Sequence, residues 1–509
     1  MSNEACRAIT PLRYHPVEQT GSSESMNHLK SWIRACDETH TCFPGDEPIL
    51  PTRVVSVTGN SVKVVHTAGK RGRYMTLSHR WGRHETFVLK ASNIEEMADN
   101  IAWESIPKLY QDSIEVARCL GIQYIWIDTL CIVQDDAEDW RRESVQMKSV
   151  YGNSYLSIAA VQAVDSYGEL FASSDLPAKL PSHTPYMTHL HFGSNYSRTS
   201  NPTLLRRGWV LQERILAPRV IYFDAEELKW ECQTERDCQC GSMLTIRNFK
   251  TDHVGSLIRD EAPLPFQWMR VAEQYSGLQL TFDSDRLVAL AGIAEQGIKS
   301  GKGGRYLAGL WERHLEHQIC WEILDTHRKP ETPLVPSWSW LSVFGSVRYN
   351  NRMDFSARGS EIDVEITEVD CSSTGTDYLA AGRPVSGFIR LNGRGTRMLA
   401  ELTDAGDEFT PPTYCLRTGR GDEDETELWV EMDYIMTPED ASAIKEVFLL
   451  FWGEILEETT FLILKPAAEN SQKYERFGIA SYSNTDPELV AYRGEIISWC
   501  ERKKDIIFI

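Results

Sequence analysis

The sequence has no long apolar run. Its longest strongly apolar stretch, residues 447–452, is far shorter than the about 20 residues that a membrane-spanning helix needs. The first 20 residues, MSNEACRAITPLRYHPVEQT, are polar and lack the apolar core of a secretory signal. We therefore expect no membrane partner and a cytoplasmic location, in which the 12 cysteines stay reduced instead of forming a disulfide framework.

Positive charge is also scarce. The chain of 509 residues has 53 lysines and arginines against 73 acidic residues, a net charge of −20. Because so acidic a surface repels phosphate backbones, nucleic acid is not expected as a partner. The chain also has neither a GxGxxG motif after a strand nor a Walker loop, which argues against ordinary dehydrogenase or NTPase chemistry.

Strands and helices alternate between residues 74 and 223. Residues 124–128 are too continuously apolar for a strand with one wet face, a pattern typical of a central parallel strand. Further strands are predicted at 74–78, 155–160 and 220–223. Helices are predicted to follow a Ser105 cap, to begin near Asp136, and to include Trp209. The alternation predicts an α/β fold with a three-layer core, a parallel sheet flanked by helices.

The flanking segments differ from this core. Residues 52–66 predict a β-hairpin that turns at Gly59 and Asn60. Helical periodicity is found at 267–275, 285–298 and 306–324, and alternating runs after a proline-rich joint indicate a smaller β-rich domain. The predicted organisation is an N-terminal arm (1–50), an α/β domain (51–245), a helical extension (246–335) and a β-rich C-terminal domain (336–509).

Three sequence blocks of the predicted α/β region form a recognisable set. The blocks are YMTLSHRWG at 74–82, residues 124–160, and RGWVLQERILAPRVIYF at 207–223, with LPTR before them and YLAGLW and VPSWSW after them. In order and spacing, this set resembles the fungal heterokaryon incompatibility (HET) domain family. The resemblance covers most of residues 30–345. One departure is His79, where the family more often has an aromatic residue such as tyrosine.

The resemblance implies a role in vegetative incompatibility, in which recognition of a non-self partner protein triggers programmed cell death. A homo-oligomer is a candidate state. The HET module has also been likened to the TIR fold, a parallel α/β module of immune signalling and of NAD-cleaving toxins. This second likeness implies a TIR-like core, NAD as a candidate substrate and NAD+ nucleosidase activity. The alternative is a non-enzymatic signalling or assembly module in the same pathway.

Polar and aromatic side chains follow the predicted strands. Ser78, Arg80 and Trp81 come after the first strand, and Asp128 ends the second. Because ligands bind outside the carboxyl ends of the strands in open α/β sheets, these side chains are candidates to hold the phosphate, base and ribose of a nucleotide. Trp209 is a further candidate for the same site. In the alternative interpretation, Asp128 caps the next turn and Trp81 fills the core.

Two glutamates lie on apolar helix faces. Glu143 shares a stripe with Trp140 and Met147, and Glu213 lies four residues after Trp209. A carboxylate is rarely buried unless it is paired or functional, because its desolvation is costly. The resemblance to TIR-type NAD hydrolases implies that Glu213 is catalytic and stabilises an oxocarbenium-like ribose, with Glu143 as a second candidate. The alternative is a buried ion pair with one of Arg80, Arg142, Arg207 and Arg214.

Two groups of metal-ligating side chains complete the set of candidates. Cys36, His40 and Cys42 form a C-x3-H-x-C cluster, and a second group at 232–240 reads C-x5-C-x-C. One tetrahedral zinc ion could draw on both groups through Cys36, His40, Cys42 and Cys232. Such a site would be structural and would fasten the N-terminal arm to the α/β core. The alternative is metal-free thiols with a capping histidine.

Overall fold

The chain folds into two compact units, Met1–Val254 and Gly255–Ile509. The computed structural model describes residues 19–43, 45–82, 87–173, 203–225, 227–239, 249–258, 263–324, 328–330, 333–349, 361–372, 385–404, 406, 411–417, 428–455, 458–467, 470–483 and 494–509. No helix within these ranges is both long and apolar enough to cross a bilayer.

The first unit contains helices and one large sheet. Its helices are α1 (Ser23–Thr39), α2 (Ile94–Asp99), α3 (Lys108–Cys119), α4 (Asp128–Cys131), α5 (Ala137–Gly152), α6 (Gly208–Leu216) and α7 (Phe249–Ile258), whose last residues belong to the second unit. Its strands are β1 (Arg53–Ser56), β2 (Lys63–His66), β3 (Tyr74–Ser78), β4 (Tyr124–Ile127), β5 (Leu156–Ala160), β6 (Arg219–Phe223), β7 (Leu228–Cys232) and β8 (Arg236–Cys238). Short 3-10 turns cover Trp103–Ser105 and Thr203–Arg206.

The eight strands form a mixed sheet in the order β2-β1-β4-β3-β5-β6-β7-β8. The four central strands, β4, β3, β5 and β6, are parallel, whereas β1 and β2 at one edge and β7 and β8 at the other are antiparallel. The predicted α/β class is confirmed, but the predicted parallel sheet is restricted to the centre. The chain passes from β3 to β4 on one side and then to β5 on the other, so the winding reverses at β3.

Burial explains why the central strands form. Every residue of β3, β5 and β6 is buried, and most of these side chains are apolar. The parallel register pairs Leu77 with Ile127 and Ser78 with Ala159. The carboxyl ends of β3, β4 and β5 therefore meet at one edge of the sheet.

The helices of this unit differ from the predictions mainly at their ends. The predicted Ser105 cap is wrong, since Ser105 ends a 3-10 turn and α3 begins at Lys108, after Pro107. Gly121, with φ of +71°, follows the end of α3 as a left-handed residue. Helix α5 begins next to Asp136, as predicted, and the Asp136 side chain caps it by accepting hydrogen bonds from two backbone N–H groups. Helices α5 and α6 pack against each other.

The inward face of α5 also differs from the prediction. Trp140, expected to point inward, is 40% exposed. The buried face instead contains Asp139, Glu143, Met147 and Val150, spaced three and four residues apart. Glu143 is therefore buried beside another carboxylate and not beside an indole ring.

The second unit contains helices and a β-rich region. Its helices are α8 (Leu264–Ser276), α9 (Asp285–Ser300), α10 (Leu315–Gln318) and α11 (Pro438–Ala443), with a 3-10 turn at Trp340–Ser342. Its strands are β9 (Tyr306–Leu307), β10 (Leu310–Trp311), β11 (Glu322–Ile323), β12 (Val347–Arg348), β13 (Glu361–Ile362), β14 (Glu365–Cys371), β15 (Gly387–Asp404), β16 (Thr413–Arg417), β17 (Leu428–Glu431), β18 (Glu446–Ile455), β19 (Glu458–Ala467), β20 (Asn470–Ser483) and β21 (Glu501–Phe508).

The last nine strands, β13 to β21, form one sheet, which confirms the predicted β-rich region. Strand β15 pairs with both β18 and β21. With the pairings β18–β19, β19–β20 and β20–β21, these contacts close a ring of five strands.

The helix predicted at 306–324 is present only as the short α10, Leu315–Gln318. Residues 306–311 instead form the β9–β10 hairpin, in which Ala308 and Gly309 have positive φ angles of 47° and 102°. Trp340 Nε1 donates a hydrogen bond of 2.8 Å to the Gly309 carbonyl oxygen. Trp338 and Trp340 have no exposed surface in this unit, so both indoles are core residues.

Candidate functional site

The ends of β3 and β4 carry the polar side chains that the sequence predicted to meet. Ser78 is the last residue of β3, and Asp128 directly follows β4. Trp81 Nε1 donates a hydrogen bond of 2.8 Å to Asp128 Oδ2, while Asp128 Oδ1 accepts one of 2.8 Å from the Thr129 backbone N–H. Asp128 therefore holds the indole and also accepts a hydrogen bond from the backbone at the start of α4. Trp81 is only half-buried, so the alternative in which it fills the core is not supported.

Glu213 lies on the buried face of α6 and is only 7% exposed. The Ser78 hydroxyl and the Tyr151 phenol lie close enough to its carboxyl group to lower its pKa, but burial outweighs them and raises that pKa to about 7. Glu213 Oε2 and Ser78 Oγ are both buried and have no hydrogen-bond partner among the described residues. A buried carboxyl group thus faces the end of β3 with unused hydrogen-bonding capacity.

Two charged groups act on this carboxyl group in opposite directions. The Arg207 guanidinium lowers the pKa of Glu213, and the Asp128 carboxylate raises it. Arg207 precedes α6, and its Nη1 donates a hydrogen bond of 2.5 Å to the His79 carbonyl oxygen. The guanidinium is thereby fixed to the chain that leaves β3.

His79 supports the site from within the core. Its Nε2 lies 2.9 Å from the Tyr110 hydroxyl, which in turn lies 2.8 Å from Thr129 Oγ1. Burial lowers the pKa of His79, although Asp128, whose Oδ1 lies 3.6 Å from Nδ1, raises it. The ring is fully buried, so its position next to Asp128 is fixed by the Tyr110 contact.

Glu143 lies in a different group of charges. Its Oε1 is 3.8 Å from Arg53 Nη2 and 3.6 Å from Arg142 Nε. The same two arginines form ion pairs with Asp139, and Arg53 Nε donates a hydrogen bond of 2.7 Å to the Cys131 carbonyl oxygen. Glu143 Oε1, like Glu213 Oε2, makes no hydrogen bond among the described residues, but the two guanidinium groups within ion-pair distance of it are typical of a structural ion cluster between β1 and α5.

The other candidates occupy varied positions. Arg80 and Trp209 are half-buried, and their roles in binding stay predictions. Arg214, one of the arginines considered as a partner of Glu213, instead forms two hydrogen bonds of 2.7 and 2.8 Å to Glu231.

Sequence reasoning missed the phenol that faces Glu213. Tyr151 lies on the buried face of α5, where burial and the neighbouring Glu213 both raise the pKa of its hydroxyl group. The available signal was its position on the same buried face as Met147. That signal does not say which side chain of another helix lies opposite.

The four predicted metal ligands come together at the amino end of β6, where Cys232 of β7 pairs with Arg219. This end of the sheet is opposite to the carboxyl ends of β3 and β4. The ligand atoms of Cys36, His40, Cys42 and Cys232 all lie within 4.8 Å of one another. Cys238 is not a member of this group, and Cys240 lies outside the described residues.

The arrangement around Glu213 suits the stabilisation of positive charge. A carboxylate in a site of low water content interacts with a cation more strongly than it would in water. The surrounding hydroxyl groups and Arg207 oppose the effect of burial on its pKa, so the ionised form is accessible near neutral pH.

Residues 74–213 match a family model described as "Heterokaryon incompatibility protein (HET)". The matched segment starts at the first residue of β3 and ends at Glu213, so it contains Ser78, Asp128 and the catalytic candidate. No curated protein and no solved structure matches the chain.

Proposed function

Because residues 74–213 match the family model of heterokaryon incompatibility proteins, we propose that this chain acts in that family's pathway and triggers cell death by cleaving NAD after a non-self partner protein is recognised. The cytosolic location predicted from the sequence and activation through self-association belong to the same proposal. Glu213 is the catalytic residue, and Ser78, Asp128 and Trp81 belong to the binding site. Glu143 has a structural role.

The environment of Glu213 carries the proposal. The carboxyl group is 7% exposed, and its Oε2 has no hydrogen-bond partner among the described residues. A structural buried carboxylate ordinarily uses both of its oxygens in hydrogen bonds or ion pairs, because an unsatisfied oxygen is costly. Catalytic groups are often buried in this way despite the unfavourable desolvation free energy, since strongly shifted pKa values in a crevice are typical of functional sites.

The position of the carboxyl group also supports a ligand site. It faces the end of β3, where the winding of the sheet reverses, and ligands of open α/β sheets bind in the crevice at that point. Ser78 Oγ, buried and without a partner among the described residues, offers a hydrogen bond there. The Trp81 indole, fixed by Asp128, offers an aromatic surface for a base or a nicotinamide ring.

The proposed reaction is hydrolysis of the bond between ribose C1′ and the nicotinamide nitrogen. The bonding electron pair leaves with nicotinamide, which neutralises the pyridinium ring, and positive charge develops on the ribose. The Glu213 carboxylate stabilises this charge, as a carboxylate does in glycoside cleavage. Water then forms the C1′–O bond and loses a proton, which gives ADP-ribose, nicotinamide and H⁺.

Expression of the full chain in a fungal host tests this proposal. Wild type, Glu213→Gln and Glu143→Gln would be induced to equal levels, and cell viability and cellular NAD would be followed together. We expect wild type and Glu143→Gln to deplete NAD before viability falls, and Glu213→Gln to do neither. Death without NAD loss that persists in Glu213→Gln would overturn the enzymatic proposal and favour a non-enzymatic signalling or assembly module.

A further inference from the structure

We propose that Cys36, His40, Cys42 and Cys232 bind one zinc ion, and that this ion fastens the end of α1 to the end of β7. The first three residues lie at or after the last turns of α1, and Cys232 is the last residue of β7. The site is separate from the Glu213 site and is independent of the proposed NAD cleavage.

The separation of the ligand atoms fits tetrahedral coordination. With zinc–sulfur and zinc–nitrogen bonds of about 2.3 and 2.0–2.1 Å, a sulfur and a nitrogen on one zinc ion lie roughly 3.6 Å apart. Cys232 Sγ and His40 Nδ1 are 3.5 Å apart. All four ligand atoms lie within 4.8 Å of one another, so small side-chain shifts bring the whole set to bonding distance.

The surroundings of His40 fit a ligand role. Its Nδ1 faces Cys232 Sγ, while its Nε2 lies 3.9 Å from Glu235 Oε2 on the other side of the ring. Histidines that bind metals usually direct their second nitrogen at a carboxylate, which fixes the ring and its tautomer. Glu235 is therefore the carboxylate that orients the His40 ring in the proposed site.

The sulfur atoms also have the neighbours that bound thiolates need. The backbone N–H groups of Thr234 and Glu235 donate to Cys232 Sγ at 3.4 and 3.3 Å. Cys42 Sγ lies 3.4 Å from Thr234 Oγ1. Donors of this kind stabilise negative charge on sulfur, which is the form that binds a metal ion.

The charge of the surroundings gives a second, independent observation. Arg219 is 1% exposed, and its Nε and Nη1 are buried without a hydrogen-bond partner among the described residues. Its guanidinium interacts with the Cys36 thiol and forms an ion pair with Asp37. Three thiolates and one Zn²⁺ carry a net charge of −1, which supplies the buried guanidinium with a second anionic neighbour.

The ion would be structural. Four protein ligands complete a tetrahedral zinc site and leave no position for a substrate. Protein contacts already hold α1 on the sheet, since the Trp32 and Trp230 rings stack at 6.2 Å and Trp32 Nε1 donates to Asp237 at 2.8 Å. We therefore expect loss of the ion to loosen the end of α1 rather than to unfold the unit.

Metal analysis of the purified full chain tests the inference. The protein would be prepared under reducing conditions without chelator, and its zinc content would be measured by inductively coupled plasma mass spectrometry. We expect about one zinc ion per chain, a near-complete loss in Cys42→Ser and His40→Ala, and no change in Cys238→Ser. The last variant is the matched control, because Cys238 is buried on the adjacent strand but lies outside the cluster.

A spectroscopic measurement keeps the inference testable if the variants fold poorly. Wild-type chain stripped of metal and titrated with Co²⁺ should gain thiolate-to-cobalt charge-transfer absorption and the strong visible bands of tetrahedral cobalt. Wild type without zinc that also gives no such bands would overturn the inference, as would equal zinc loss in Cys238→Ser and Cys42→Ser. A disulfide within the cluster of the unreduced protein would overturn it too.

Discussion

Trp81 Nε1 donates a hydrogen bond of 2.8 Å to Asp128 Oδ2. This bond connects the segment after β3 to the end of β4, and it orients a carboxylate whose charge reaches Glu213. The two strand ends are therefore coupled electrostatically to the helix that carries the catalytic candidate.

The titration of Glu213 should shift in opposite directions when its two charged neighbours are removed. Asp128→Asn removes a negative charge that raises the pKa of Glu213, so this pKa should fall below about 7. Arg207→Gln removes a positive charge that lowers it, so the pKa should rise above about 7. The measurement is the pH at which the infrared band of the protonated carboxyl group disappears, assigned by its absence in Glu213→Gln.

The matched control for this pair is Glu138→Gln on α5, since the Glu138 side chain is 72% exposed. It should leave the Glu213 band unchanged. Shifts of the same sign in Asp128→Asn and Arg207→Gln would contradict the proposed electrostatic coupling.

Glu213→Gln should stabilise the first unit at alkaline pH. The folded-state pKa of Glu213 lies near 7, above the ordinary value of 4.5 for a glutamate in water, so the folded chain binds this proton more tightly and wild-type stability falls as pH rises between these values. The difference corresponds to roughly 3 kcal/mol, since one pKa unit is about 1.4 kcal/mol. Denaturant unfolding should show Glu213→Gln gaining up to that amount over wild type between about pH 4.5 and about pH 8. A difference that does not change with pH would show that Glu213 titrates normally.

Gly82→Ala should destabilise the chain more than Gly121→Ala does. Both glycines have positive φ angles, 86° and 71°, which cost an alanine roughly 1–2 kcal/mol. A Cβ atom on Gly82 would also lie 2.4 Å from Asp165 Cβ, whereas one on Gly121 would meet nothing within 4 Å. We expect an additional loss of about 1–3 kcal/mol from the overlap, measured by denaturant unfolding. Equal losses of unfolding free energy in the two variants would show that the left-handed backbone conformation alone causes the destabilisation.

The free energy of unfolding of the second unit should depend strongly on Arg476. This buried side chain donates to Asp433 Oδ2 at 2.6 Å and to the Ile319 carbonyl oxygen at 2.6 Å. Arg476→Met leaves Asp433 buried and unpaired, so it should cost about 3–5 kcal/mol in the free energy of unfolding. The matched control Arg397→Met breaks an exposed ion pair with Glu446 and should cost at most about 1 kcal/mol. Similar losses in the two variants would contradict this assignment.

The central strands were predictable from the sequence because their composition alone dictates burial. The continuously apolar residues 124–127 form β4, and the apolar residues 220–223 lie within β6. The β1–β2 hairpin was predicted, but its position in the sheet was not, because the pairing of β1 with β4 depends on contacts distant in the sequence. The β9–β10 hairpin was mistaken for a helix because the positive φ angle of Ala308 is dictated by tertiary packing and not by residue type.

The candidate site was predictable only in part for the same reason. Strand ends located Ser78 and Asp128, and helical spacing placed Glu213 inward. Helical spacing also placed Glu143 inward, but only the structure shows its contacts with Arg53 and Arg142. Spacing gives the face of a helix that is buried, and three-dimensional packing decides which side chain it meets.

The release of nicotinamide by the purified full chain tests the central claim most directly. Wild type, Glu213→Gln and Glu143→Gln would be incubated with NAD at high protein concentration, which permits self-association, and nicotinamide would be quantified by chromatography. We predict that wild type and Glu143→Gln release nicotinamide, and that Glu213→Gln is slower by roughly 10²–10³-fold although it is folded. Wild type that is assembled but inactive, or Glu213→Gln as active as wild type, would contradict the account.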